Sequence, residues 1–142
     1  EPGAIDQAVD GLLQAPDAQM ATLKKRIETP EELADPNVVK VVCDAGGGAL
    51  YFSRSTIPYA RDGKVAAYKH VGLYVYRRDF LLRYPRLPVG PLEAAEKLEQ
   101  LRALENGYRI RVVETGYDSL GVDTPGDLER VRERIEANLA AR

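Results

Sequence analysis

The chain has 142 residues, 44% of them hydrophobic and 30% charged, with a formal net charge of −2. That is about one domain's worth of sequence, able to bury roughly two thirds of its unfolded surface, and its weak charge excludes a polybasic face for nucleic acid or anionic membrane. One cysteine (Cys43) and one histidine (His70) exclude an internal disulfide and a Cys/His metal cluster, and no apolar run approaches the ~18 residues of a membrane span, which fits a cytoplasmic protein.

Gly3 to Gln14 predicts a helix with the apolar Ile5, Val9, Leu12 and Leu13 on one face, ended by Ala15-Pro16-Asp17. Gln19 to Ile27 predicts a strand. Thr29-Pro30-Glu31-Glu32 is a helix start, with a threonine cap and proline in the first turn; Asp35-Pro36-Asn37 breaks that helix early. Val38 to Cys43 and Ala49 to Ser53 predict two strands joined through Asp44 to Gly48 as a hairpin, since glycine accepts positive φ. Ser53-Arg54 then ends a strand. Its hydroxyl and guanidinium fork suit a carboxylate or phosphate, although Arg54 could equally be an ordinary surface arginine.

Tyr68 to Arg77 alternates with period two and predicts a strand. Val71, Leu73 and Val75 form its core face. Tyr68, His70, Gly72, Tyr74 and Tyr76 form the other, where the glycine marks room for close approach by a ligand or a backbone. The competing reading is a half-buried sheet with a hydrogen-bonded core histidine. Asp79 is placed to cap a short helix through Tyr84, and Pro85 to Pro91 predicts an irregular loop. Leu92 to Asn106 predicts one helix, buried along Ala94, Ala95, Leu98, Leu101 and Leu104 and stopped by Gly107. Glu99 and Gln100 offer acceptors and an amide to a polyhydroxyl ligand, or simply face solvent.

Arg109 to Thr115 predicts the last strand, and Gly126 to about Ala140 the last helix. Thr124 and Pro125 are a helix cap and first helical residue, which frees Asp123 as a hard-metal ligand unless Asp123 itself is the cap. There is no repeat, and no Walker or dinucleotide glycine fingerprint. The start at Glu1-Pro2, without an initiator methionine, points to a piece of a longer chain or to an engineered or processed start.

Several motifs in order resemble one family. They are Glu1-Pro2, Asp35 to Val42, Ala49 to Arg54, Ile57-Pro58, His70-Val71-Gly72-Leu73-Tyr74 and Pro91-Leu92-Glu93. Leu98-Glu99-Gln100-Leu101-Arg102, Gly121-Val122-Asp123-Thr124-Pro125 and Asp127-Leu128 follow. Together they resemble, nearly end to end, the C-terminal part of the CMP-Kdo synthetases, the 3-deoxy-manno-octulosonate cytidylyltransferases of Gram-negative bacteria. The resemblance implies an α/β fold: part of a three-layer α/β/α Rossmann-like nucleotidyltransferase with a mixed sheet. It implies a single domain, a sugar-binding and dimerisation region over about residues 54–105, and a homodimer through the stretch around Ile57 to Arg77.

The implied reaction joins CTP and Kdo into CMP-Kdo and pyrophosphate for lipopolysaccharide synthesis, with Mg²⁺ as cofactor. By position, Arg54, His70, Tyr74, Glu99 and Gln100 match the Kdo site, and Asp123 matches a catalytic, Mg²⁺-binding aspartate. The residue types suit an acidic polyol: a cation for the carboxylate and polar groups for the hydroxyls. In line attack by the sugar's anomeric hydroxyl on the α-phosphate needs positioning and charge neutralisation more than covalent catalysis. The family's N-terminal nucleotide-binding half, including a further metal aspartate in G-D-E-P, is missing apart from Glu1-Pro2. The chain alone is therefore expected to be inactive. Two other readings are a non-catalytic sugar-acid-binding or dimerisation module, and a cytidylyltransferase for another acidic sugar such as sialic acid.

Overall fold

The period-two runs become strands of one mixed sheet in the computed structural model, which describes residues 2–63, 65–117, 122 and 125–140. The strands are β1 (Ala18–Arg26), β2 (Lys40–Cys43), β3 (Ala49–Ser53), β4 (Tyr68–Tyr76) and β5 (Arg109–Glu114), in the spatial order β3-β2-β4-β1-β5. β1 is central: it runs antiparallel to β4 and parallel to β5. Met20, Ala21, Thr22 and Leu23 are buried in succession, as in a strand covered on both faces. β2 and β3 form the expected hairpin, with Gly47 at φ 80° in its turn. The hairpin tip reaches across to β5, where Gly48 bridges Arg111.

The two faces of β4 separate as the alternation predicts. Val71, Leu73 and Val75 pack with Leu23 against helix α1 (Pro2–Leu13), while Tyr68, Tyr74 and Tyr76 pack against a second core of Met20, Val41, Phe52, Phe80, Leu101 and Ile110. That second core is covered by helices α3 (Arg78–Arg83) and α5 (Leu101–Glu105) and by Leu98, which follows the short helix α4 (Pro91–Glu96). Helix α2 (Pro30–Ala34) is short and capped by the Thr29 hydroxyl, which accepts from the Glu32 amide at 3.2 Å. Helix α6 spans Pro125–Ala140.

Three expectations are corrected. Helix α1 does not bury Ile5, Val9 and Leu13, which are exposed; it buries Ala4, Ala8, Gly11 and Leu12. The small residues win because the helix lies close on the sheet: a Cβ at Gly11 would stand 2.3 Å from Val113 Cγ2. Asp79 lies inside the first turn of α3 and does not cap it.

The helix expected over Leu92 to Asn106 is two helices, α4 and α5, broken at Lys97 in the left-handed region (φ 55°, ψ 45°). Two contacts explain the break: Arg102 pairs with Glu93, and the Glu105 carboxylate accepts from the amides of Leu92 (2.8 Å) and Glu93 (2.9 Å). In one continuous helix residues nine apart would be about 14 Å apart along the axis, out of reach. The fold-back exposes Ala94 and Ala95, which the single-helix reading buried.

Candidate functional site

The tyrosine face of β4 continues as a chain of rings. His70 and Tyr74 lie 5.3 Å apart between ring centroids, Tyr74 and Tyr76 6.1 Å, and Tyr76 and Tyr84 5.8 Å. The wall ends where the Tyr84 hydroxyl donates to the Glu99 carbonyl at 2.5 Å. Phe52 of β3 meets the His70 ring edge-on at 5.2 Å. Burial, with Tyr76, Tyr84 and the Glu99 carboxylate adding to it, pushes the Tyr74 hydroxyl well above the ordinary phenol range. Tyr84 is pushed up to about 12, first by burial. These phenols stay protonated and act as hydrogen-bond donors near neutral pH. Burial pushes His70 down to about 4, so its ring is neutral there. Beside it Gly72 is exposed, and a Cβ at that position would meet only His70 Cε1, at 4.0 Å. The space over this edge of the imidazole is open.

Arg54 leaves the end of β3 and is held in place. Its Nε donates to the Glu96 carbonyl (2.8 Å) and its Nη1 to the Pro36 carbonyl (3.1 Å). Nη2 has no hydrogen-bond partner among the described residues, which leaves part of the guanidinium fork for an anion. Ser53, paired with Arg54 in the sequence reading, is not available: its buried hydroxyl donates to Glu96 Oε1 at 2.6 Å. Burial raises the Glu96 carboxyl, but the bonds from Ser53, the Arg54 amide and Tyr51 outweigh this and hold it below its ordinary value.

The break between α4 and α5 presents Glu99 and Gln100 differently. Glu99 is exposed, beside the tyrosine wall; Gln100 is 5% exposed, and its side-chain amide has no hydrogen-bond partner among the described residues. The buried pair beneath them is bidentate, with Arg102 Nε to Glu93 Oε2 at 2.8 Å and Nη2 to Oε1 at 2.5 Å. The Arg102 guanidinium also lies 5.3 Å from the Tyr84 ring centre.

His70 and Tyr74 thus adjoin directly, Glu99 stands at the far end of the wall with Gln100 next to it in the chain, and Arg54 is tied to Glu96 at the start of the break between α4 and α5. Asp123 lies outside the described residues. Among those described, no group of three His, Cys, Asp or Glu side chains is placed to hold a metal ion.

Sequence reasoning missed three residues that build this arrangement. Thr22, fully buried in β1, hydrogen-bonds His70. Glu96 grips Arg54. Lys40, fully buried, donates to the carbonyls of Asp35 (2.9 Å) and Val38 (2.6 Å) and so fixes the loop whose Pro36 carbonyl holds Arg54. Burial lowers the Lys40 ammonium from its ordinary value. The available signal was a lysine interrupting the apolar run Val38 to Val42.

A family model described as Cytidylyltransferase matches residues 1–110. The 3-deoxy-manno-octulosonate cytidylyltransferase of Solibacter usitatus is 65% identical over 141 residues, covering 98% of this chain and 56% of that protein. The protein of the same name from Geobacter sulfurreducens is 55% identical, with 96% and 59% covered. A solved structure of CMP:2-keto-3-deoxy-manno-octonic acid synthetase complexed with CTP superposes with a TM-score of 0.90 at 43% identity, covering 97% of this chain and 57% of that one. The mixed sheet and its helices are therefore the corresponding portion of that nucleotidyltransferase fold. The chain spans a little over half the length of these relatives, and it belongs to the cytidylyltransferase family.

Proposed function

We propose that the whole protein is a CTP:Kdo cytidylyltransferase, forming CMP-Kdo and pyrophosphate in the cytoplasm for lipopolysaccharide synthesis, and that this chain supplies its sugar-acid site. The observation that supports the reading is the wall of rings from His70 through Tyr74, Tyr76 and Tyr84 to Glu99, together with an Arg54 whose Nη2 is left for an anion. Arg54 meets the sugar carboxylate. The neutral imidazole, the protonated phenols, the Gln100 amide and the Glu99 carboxylate sort the hydroxyls by donor and acceptor. These groups bind and orient; none is arranged as a covalent nucleophile. Their contribution to rate is to hold the sugar's anomeric hydroxyl toward the α-phosphate.

Asp123 is proposed as a magnesium ligand, but one carboxylate does not make such a site. When bound, the ion would neutralise charge on the triphosphate. A homodimer is proposed through the stretch around Ile57 to Arg77, where Tyr59 and Val65 are exposed apolar residues. Residues 54–105 are taken as the sugar-binding and dimerisation region.

The test is product formation by the whole protein from CTP with Kdo or with sialic acid, with and without a chelator. Turnover with Kdo, lost on chelation and on Asp123→Ala, is expected; preference for sialic acid would overturn the substrate. The 142-residue chain alone is expected to give no product, and turnover by it would show that it carries a complete nucleotide site.

A further inference from the structure

His70 is held by a threonine at an irregularity in the sheet. Between Thr22 and Leu23 the β1–β4 register jumps, Thr22 facing Tyr74 and Leu23 facing Val71. Such a bulge takes backbone groups out of the regular ladder, and a buried carbonyl still needs a donor. The Thr22 hydroxyl lies 2.8 Å from the Leu73 carbonyl and 3.2 Å from the Val71 carbonyl, and also 2.9 Å from His70 Nε2. A hydroxyl has one proton and two lone pairs. With that proton committed to a bulge carbonyl, the bond to His70 requires Nε2 to be the donor. Nδ1 is then the bare nitrogen, and no described residue hydrogen-bonds it.

We propose that Thr22 is a positioning residue that fixes His70 as its Nε2–H tautomer, so that Nδ1 is presented as a hydrogen-bond acceptor for a hydroxyl of a polyhydroxylated sugar acid. The functional half of this rests on the sugar-acid site proposed above; the tautomer does not. The open space at Gly72, where a Cβ would meet only His70 Cε1 at 4.0 Å, leaves room for a hydroxyl beside the ring. His70 is within the second core's surroundings of Phe52 and Tyr74, neither of which supplies a competing charge. The ring's orientation therefore follows from the threonine and the packing.

The experiment is 15N NMR of the imidazole near neutral pH. His70 is the only histidine in the chain; where further sequence adds others, the His70→Asn spectrum identifies its signals. A protonated Nε2 and bare Nδ1 are expected. A protonated Nδ1, or a mixture without preference, overturns the proposal without any variant having to fold. Thr22→Ser keeps the hydroxyl and should keep the tautomer and KM. Thr22→Val should release the tautomer preference and raise KM for Kdo about fivefold, as for one lost hydrogen bond, with kcat little changed. An unchanged tautomer in a folded Thr22→Val protein also overturns the role of Thr22. If the tautomer is as stated but Nδ1 does not respond to saturating Kdo, the sugar-site reading fails and the tautomer assignment stands.

Discussion

Glu96 holds Arg54 at both ends of the residue: its carboxylate accepts from the Arg54 amide at 2.9 Å, and its carbonyl accepts from the Arg54 side-chain Nε at 2.8 Å. The carboxylate half is removable by mutation and the carbonyl half is not. Glu96→Ala leaves the Ser53 hydroxyl and the Arg54 amide without their acceptor and loosens the guanidinium. We expect a loss of about 2 kcal/mol in urea unfolding and a rise in KM for the sugar acid of about tenfold, with a smaller change in kcat. A stability loss with unchanged KM would mean that Glu96 only supports the fold.

The Glu93–Arg102 pair is what bends the chain between α4 and α5. Glu93 is 7% exposed, and its removal strands a largely buried guanidinium. Glu93→Ala should cost about 3 kcal/mol, and Arg102→Lys should not rescue the wild-type geometry because lysine lacks the fork. The hydrogen bond from Arg102 holds the Glu93 carboxyl below its ordinary value of 4.5, against the effect of burial. The folded value is the lower one, so the pair's stabilisation is complete above 4.5 and is lost as pH falls through the folded value. Acid unfolding followed by circular dichroism, wild type against Glu93→Gln, measures that difference.

His70 gives the opposite kind of group. It is a base whose folded value, about 4, lies below its ordinary 6.5 because burial disfavours the cation. The unfolded chain therefore takes up the proton first, and stability falls as pH drops from about 6.5 toward 4. Above that window the ring is neutral in both states and adds no pH dependence. Between pH 7 and 5 the wild type should lose more stability than His70→Asn, with a limiting slope of about 1.4 kcal/mol per pH unit. Equal slopes in urea titrations would show that burial does not disfavour the imidazolium.

The reversed face of α1 is tested by a pair of substitutions. Gly11→Ala puts a methyl where Val113 already stands, 2.3 Å away, and should destabilise by about 2 kcal/mol despite alanine's better helix propensity. Leu13→Ser changes a residue that is 69% exposed and should shift stability by less than about 0.5 kcal/mol. The reverse order would restore the amphipathic reading of this helix.

The local patterns determined much of this fold. Alternation alone separated the Val71, Leu73 and Val75 face of β4 from its tyrosine face, and the Thr29-Pro30 and glycine-turn signals placed α2 and the β2–β3 hairpin. Motif resemblance named Arg54, His70, Tyr74, Glu99 and Gln100 together. Tertiary structure decided what periodicity could not. Close helix–sheet approach selected Ala4, Ala8 and Gly11 over the larger Ile5, Val9 and Leu13 for burial in α1. An ion pair nine residues apart broke a helix that its own sequence would have continued. Thr22 was invisible as a partner of His70 because 48 residues separate them; only the bulge between β1 and β4 brings the hydroxyl to the ring. Residue types and their spacing carry the chemistry a site can offer. Which groups are held, freed or protonated is set by contacts distant in sequence, where burial and unmet backbone hydrogen bonds outweigh local preference.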